Sequence, residues 1–95
     1  MTRILNLRKR LQTEGLDAMI VTNLKNIYYL SGFWGSAGTV LLTQQAQYLL
    51  TDSRYSTAAR ESAPDFTIIE TRQAITEIDR LVKKEGINNL GFEDS

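Results

Sequence analysis

The sequence predicts one α/β domain, a mixed β-sheet flanked by helices. Three observations carry this prediction. Helical stripes alternate with short apolar segments along the chain. Two of those segments, "TVLLT" and "YLLT", are separated only by the polar Gln44–Gln47, a link that forces an antiparallel hairpin. The other strand candidates are separated by helices, which calls for crossover connections. With 95 residues, 42% of them hydrophobic, and a single proline, the chain suits one core and reads as globular rather than disordered.

The first helix is expected from an N-cap at Thr2 to about Glu14, with Ile4, Leu7 and Leu11 on one face. Leu5 widens that face and the stem of Arg8 lies alongside it. Gly15 supplies a left-handed stop, and Leu16 is placed to fold back on Leu11. The strand "DAMIV" (Asp17–Val21) follows, continuously apolar from Ala18 as in a strand covered on both faces. A short helix over about Leu24–Leu30 has Thr22 or Asn23 as its cap and Gly32 just past its end.

After the hairpin, "SRYSTAARES" reads as a helix with Tyr55, Ala58 and Ala59 facing inward, interrupted by Pro64. Asp52 or Ser53 is positioned to cap it. Phe66–Glu70 is a fourth strand. Ala74, Ile75, Ile78, Leu81 and Val82 then form a second helical stripe, stopped at Gly86 with Ile87 set to fold back on Val82. "QTEGL" and "KKEGI" are two copies of one stop signal, each followed by a strand; the last strand is Asn89–Phe92. The chain ends three residues after Phe92, and the expectation is a domain truncated on that side.

Composition narrows the chemistry. Eleven basic and eleven acidic residues cancel, so the cationic excess that nucleic-acid binding uses is missing. No apolar run approaches the roughly 20 residues of a membrane span, so no membrane partner is expected. The basic, amphipathic opening "MTRILNLRKRL" raises a transit peptide, but it lacks serine and leads into a helix stop and a strand, so a structural helix is the preferred reading. There is no cysteine and no histidine. Disulfides, nitrogen- or sulfur-based metal sites and Ser-His or Cys-His nucleophile pairs are therefore excluded within these residues.

Two segments stand out as candidate sites. "YLSGFWGSAGTVLLT" (Tyr29–Thr43) spaces Gly32, Gly35 and Gly38 three apart around the only tryptophan, Trp34. A phosphate cradle leaves a strand and opens a helix; here the glycines leave a helix and enter a strand, so that reading fails. Two readings remain. Either the loop is a tight connection with Trp34 folded against its own domain, or it projects and offers Phe33 and Trp34 to another domain, subunit or ligand. "TDSRY" (Thr51–Tyr55) joins a strand to a helix, with Arg54 able to pair with Asp52. Nearby, Asn26 is expected to bond turn backbone, and one of Tyr28 and Tyr29 to pack inward. Glu77, Asp79 and Glu85 share a helix exterior with Arg80, Lys83 and Lys84, a solvated face with an Asp79–Lys83 pair.

Three patterns in register resemble the N-terminal domain of the creatinase/prolidase family, proline-specific aminopeptidases and dipeptidases in particular. They are N-x-x-Y-L-[ST]-G-F at Asn26–Phe33, G-F-x-G-S-x-G at Gly32–Gly38, and D-x-R-Y at Asp52–Tyr55. The resemblance implies a ribonuclease-H-like α/β domain over residues 1–95, belonging to a two-domain cytoplasmic hydrolase. It implies that catalysis lies in a C-terminal "pita-bread" domain absent from these residues. There two divalent metal ions (manganese, cobalt or zinc) activate the water that attacks the bond preceding proline. No catalytic residue and no metal ligand is then expected here, and the segment alone is expected to be inactive. The implied partners are the chain's own C-terminal catalytic domain, a second subunit in a dimer, and proline-containing peptides.

By the same resemblance, Phe33, Trp34, Gly35 and Ser36 form the loop that reaches a neighbouring subunit or substrate. Asn26, Tyr29, Gly32, Gly38, Asp52, Arg54 and Tyr55 are motif residues with a packing role. Two alternatives stay open: a standalone binding or dimerisation module, and the N-terminal domain of a creatinase-like amidinohydrolase.

Overall fold

A computed structural model of the chain describes residues 2–93, with the side chain of Thr2 outside the description. In order these residues form α1 (Thr2–Glu14), β1 (Ala18–Val21), α2 (Leu24–Ser31), β2 (Thr39–Thr43), β3 (Gln47–Thr51), α3 (Ser56–Ser62), β4 (Thr67–Glu70), α4 (Ala74–Lys84) and β5 (Leu90–Glu93). The strands make one sheet in the order β4-β3-β2-β1-β5. β2 lies antiparallel to both β1 and β3, whereas β1 pairs with β5 and β3 with β4 in parallel. The mixed sheet follows directly from one hairpin placed among crossover helices.

Because successive strand residues point to opposite faces, the apolar strands feed two cores. Met19, Val21, Val40, Leu42 and Leu49 face one side, where Ile4, Leu7 and Leu11 of α1, Ile27 of α2, and Ala59 of α3 cover them. Ala18, Ile20, Leu41 and Leu50 face the other, where Ile78 and Leu81 of α4 lie over them. This division explains why β1 is buried at every position.

Both stop signals form as expected. Gly15 and Gly86 have φ values of 69° and 66°, the Leu16 N–H donates to the Leu11 carbonyl at 2.8 Å, and the Ile87 N–H to that of Val82 at 2.9 Å. Asp17 adds a tie between strands, its Oδ2 accepting from the backbone N–H groups of Asn88 and Asn89 at 2.9 and 3.0 Å. Those two donors, Asn89 foremost, hold its carboxyl below the usual range.

Arg8 does more than lay its stem on the core. Its Nε donates to the Thr43 carbonyl at 2.9 Å, and its Nη2 to the Ala46 carbonyl and Gln47 Oε1 at 3.1 and 2.8 Å. One guanidinium thereby fastens α1 to the hairpin turn.

Three expectations need correction. Leu5 is exposed, since Ile4, Leu7 and Leu11 already fill the width that α1 presents to the sheet. Ile75 is 85% exposed although it continues the α4 stripe. It borders an apolar groove of about 470 Å³ between α4 and β5, together with Ile78, Val82, Leu90 and the exposed Phe92. Neither Asp52 nor Ser53 caps α3; the N-cap position is Tyr55, without a side-chain bond, because the turn through Asp52 delays the helix to Ser56. The Thr2 N-cap falls on a side chain outside the described residues, and Thr2 itself is the first residue of α1.

Candidate functional site

The glycine loop is assembled from α2 outward. Asn23 caps α2, its side chain accepting from the N–H groups of Lys25 and Asn26 at 2.9 and 3.2 Å. At the other end Gly32 is left-handed, with φ 85°, and its N–H donates to the Tyr28 carbonyl at 2.8 Å. A Cβ on Gly32 would also stand 2.9 Å from the Ser62 carbonyl oxygen, so the α2 terminus can approach α3 only as glycine.

Phe33 then turns inward and is buried. Its backbone N–H donates to Ser31 Oγ at 3.0 Å, which in turn donates to the Ile27 carbonyl. Its ring meets that of Tyr55 edge-on, with centroids 6.1 Å apart. The loop closes over this ring. A Cβ at Gly35 would collide with the Phe33 ring, and one at Gly38 would sit 3.2 Å from it. The glycine spacing therefore lets backbone wrap an aromatic side chain.

Two further bonds fix the loop. Ser36 Oγ and the Tyr55 hydroxyl are 2.5 Å apart, and Thr51 Oγ1 donates to the Ala37 carbonyl at 2.7 Å. With Phe33 inward and its neighbours tied, Trp34 points outward and is 72% exposed. The structure thus divides the two aromatic residues of the loop. Trp34 projects, while Phe33, expected to reach outward with it, is the internal anchor.

The "TDSRY" segment lies against this loop through Tyr55. Arg54 closes on Asp52 with Nη2 at 2.8 Å from Oδ2 and Nε at 3.2 Å from both carboxylate oxygens, and its own N–H donates to Oδ1. The guanidinium also stands 5.1 Å from the Tyr55 ring centroid. The Arg54 guanidinium holds the Asp52 carboxyl below its ordinary range, and Asp52 pushes Arg54 further up. Arg54 is exposed and Asp52 half-buried, so water screens the pair from the arginine side and it orders the turn more than it stabilises the fold.

The structure brings Gly32–Gly38, Asp52, Arg54 and Tyr55 into one region. Asn26 and Tyr29 lie elsewhere. Asn26 Nδ2 donates to Glu93 Oε1 at 3.2 Å, while Glu93 Oε2 takes the Arg10 guanidinium at 2.7 Å, joining α1, α2 and the end of β5. Tyr29 is exposed under the Arg3 guanidinium, 4.9 Å from its ring centroid, and Tyr28 is exposed too. The expectation that one of the two tyrosines packs inward is therefore corrected: Ile27 takes the inward position of α2.

Thr51 was not singled out by the sequence, yet it is buried and holds the loop. Its one signal is a hydroxyl at the end of an otherwise apolar strand, directly before the charged motif. Beside it opens a crevice of about 480 Å³, bounded by Ala37–Thr39, Leu50–Arg54, Thr71, Arg72 and Ala74.

Among the described residues no three His, Cys, Asp or Glu side chains converge to hold a metal ion, so the residues present do not fit the metal pair that the resemblance implies. No helix among them is long and apolar enough to cross a membrane. What these side chains provide is a shaped surface, its loop tied by hydrogen bonds and packed on Phe33, with one projecting indole.

Comparison with known proteins agrees with the motif reading. The family model of the creatinase/prolidase N-terminal domain matches residues 3–95. The chain is 34% identical over 82 residues to the uncharacterized peptidase YqhT of Bacillus subtilis, covering 85% of this chain and 23% of that protein. Among solved structures, it is similar to the N-terminal domain of the cytoplasmic peptidase PepQ of Mycobacterium tuberculosis. That match has a TM-score of 0.91 and 36% identity, covering 97% of this chain and 72% of the other. It is likewise similar to an Xaa-Pro dipeptidase from Bacillus anthracis, with a TM-score of 0.91 and 34% identity over 98% of this chain and 26% of that one. The chain thus spans about a quarter of the curated relative's length. Loop, motifs, sheet order and family match lead to one assignment: this chain belongs to the creatinase/prolidase N-terminal domain family.

Proposed function

We infer that this chain is the non-catalytic N-terminal part of a metallopeptidase that cleaves Xaa-Pro bonds, and that its glycine loop helps to govern substrate access and subunit contact. The observation that carries the reading is the state of Trp34. It is 72% exposed on a loop whose backbone is fixed by Phe33, Ser36 and Thr51. A large aromatic side chain on a rigid support, presented to the outside, is the kind of residue that anchors an interface. The kinship with an Xaa-Pro dipeptidase supports the substrate class.

In this reading the two metal ions and the water they activate belong to the protein's own C-terminal catalytic domain. The residues described here exclude water and position the peptide from outside. Phe33 and Tyr55 hold the loop, and Trp34 narrows the entrance or touches a second subunit of a homodimer. The apolar groove beside Ile75 and Phe92 supports a further contact with polypeptide outside these residues; the matched N-terminal domain is longer than this chain, which covers 72% of it. That groove weighs against a standalone module.

The test is made on the full-length protein with manganese or cobalt and an Xaa-Pro peptide. Cleavage is expected, with Trp34→Ala raising KM or weakening the dimer by about tenfold while the fold is kept. Absence of cleavage in every metal, or a Trp34→Ala protein identical to the parent in KM and in association, overturns the reading. The 95-residue chain alone is expected to be inert in that assay.

A further inference from the structure

The crevice beside the loop has a position that the family reading does not use. β3 leads into α3, whose Ala59 belongs to the first core, while β4 leads into α4, whose Ile78 and Leu81 belong to the second. These two strands are adjacent and parallel. Their following helices therefore leave toward opposite faces of the sheet, and the two connections part just beyond the strand ends. In open α/β sheets such a parting leaves a crevice at the carboxyl ends of the strands, and small ligands bind there. The crevice of about 480 Å³ sits at this parting, with Thr51–Arg54 on one side and Thr71 and Arg72 on the other.

We propose that this crevice binds a small oxyanion, a carboxylate or a phosphate, between Arg54 and Arg72. The charge balance favours an anion, since Arg54 and Arg72 line the crevice against one acidic residue, Asp52, while Glu70 at the end of β4, which lines the adjoining space, accepts from Ser56 Oγ at 2.7 Å. Asp52 engages the Nε and Nη2 of Arg54, and among the described residues no carboxylate pairs with its Nη1. Arg72 takes part in none of the ion pairs among the described residues. Its charge nevertheless reaches the site, acting on Asp52 together with that of Arg54. A planar guanidinium presents two parallel donors that match a carboxylate or a phosphate face. Ser53 and Thr71 line the same space; the Thr71 hydroxyl accepts from the Gln73 N–H at 3.0 Å and keeps its own proton to donate, and the small residues Ala37 and Gly38 form the third wall. This site does not depend on the peptidase reading and would bind whether or not the protein cleaves peptides.

The 95-residue chain, labelled with nitrogen-15, is titrated with three probes while backbone amides are followed by NMR. The probes are acetylated glycyl-proline with a free carboxylate, the same peptide as its amide, and inorganic phosphate. Saturable shifts centred on Ser53, Arg54, Thr71 and Arg72 are expected for the free-acid peptide, for phosphate, or for both, and not for the amide. Whichever anion saturates at lower concentration identifies the source. In Arg72→Gln, whose amide spectrum elsewhere should be unchanged, binding should weaken about tenfold or more. The proposal is overturned if neither anion produces saturable shifts, or if chloride at equal ionic strength reproduces them. It is equally overturned if the amide binds as well as the acid, or if Arg72→Gln binds as the parent does.

Discussion

The two faces of the sheet start from equally apolar strands and end in different states. On one face three helices cover Met19, Val21, Val40, Leu42 and Leu49, and the glycine loop adds Phe33 to the same core. On the other, α4 alone lies over Ala18, Ile20, Leu41 and Leu50, leaving Ile75 and Phe92 at the edge of an open groove. An apolar stripe states that a surface is meant to be covered; it does not state by what. Within residues 2–93 the first face meets its partners locally and the second meets only some of them.

The sharpest way to break this comparison is to truncate an aromatic residue on each face. Phe33→Ala should cost about 3–5 kcal/mol through lost burial and the cavity left under the loop. Phe92→Ala should change the stability of this chain by less than about 0.5 kcal/mol, because the residue is 71% exposed. Urea denaturation of both variants checks the pair, and equal losses would erase the distinction between the faces.

A smaller effect comes from Gly35→Ala. The added methyl meets the Phe33 ring, so overpacking should cost about 1–3 kcal/mol. The double variant Gly35→Ala with Phe33→Leu should recover part of that loss if the clash is the cause. Melting temperatures of the three proteins decide it.

The smallest effect concerns pH. The Asn89 and Asn88 N–H groups hold the Asp17 carboxyl below its unfolded value. Its contribution is therefore present above the ordinary carboxyl pKa and is lost as pH falls through the lower, folded value. Asp17→Ala should flatten the acid limb of a stability–pH curve between about pH 5 and pH 2 while lowering stability slightly at neutral pH. An acid limb parallel to that of the parent would remove Asp17 from the account.

Much of this architecture was legible in the sequence because its signals are local. The two Gly stops, the α2 cap narrowed to Thr22 or Asn23, the four-residue polar link and the doubly apolar β1 are each decided within a few residues. What stayed hidden depends on elements that meet only in three dimensions. The outward tilt of Leu5 and Ile75 depends on how wide a strip the sheet accepts. The Arg8 bonds to Thr43 and Ala46 span 35 and 38 residues. The candidate site divides in the same way. Three motifs marked Gly32–Gly38 and Asp52–Tyr55, but nothing in their spacing told Phe33 from Trp34. Only the meeting of Phe33 with Tyr55 and with the backbone at Gly35 does so. Arg72 carried no motif, and its place in the crevice comes from the parting of α3 and α4.

The central claim is that a clamped loop holds Trp34 out in solvent, ready to meet something beyond this domain. The emission of the single tryptophan in the 95-residue chain tests it most directly. The account predicts a red-shifted spectrum, quenched by iodide nearly as readily as free tryptophan. A blue-shifted emission protected from iodide in the monomeric chain would show the indole folded against its own domain, and would contradict it.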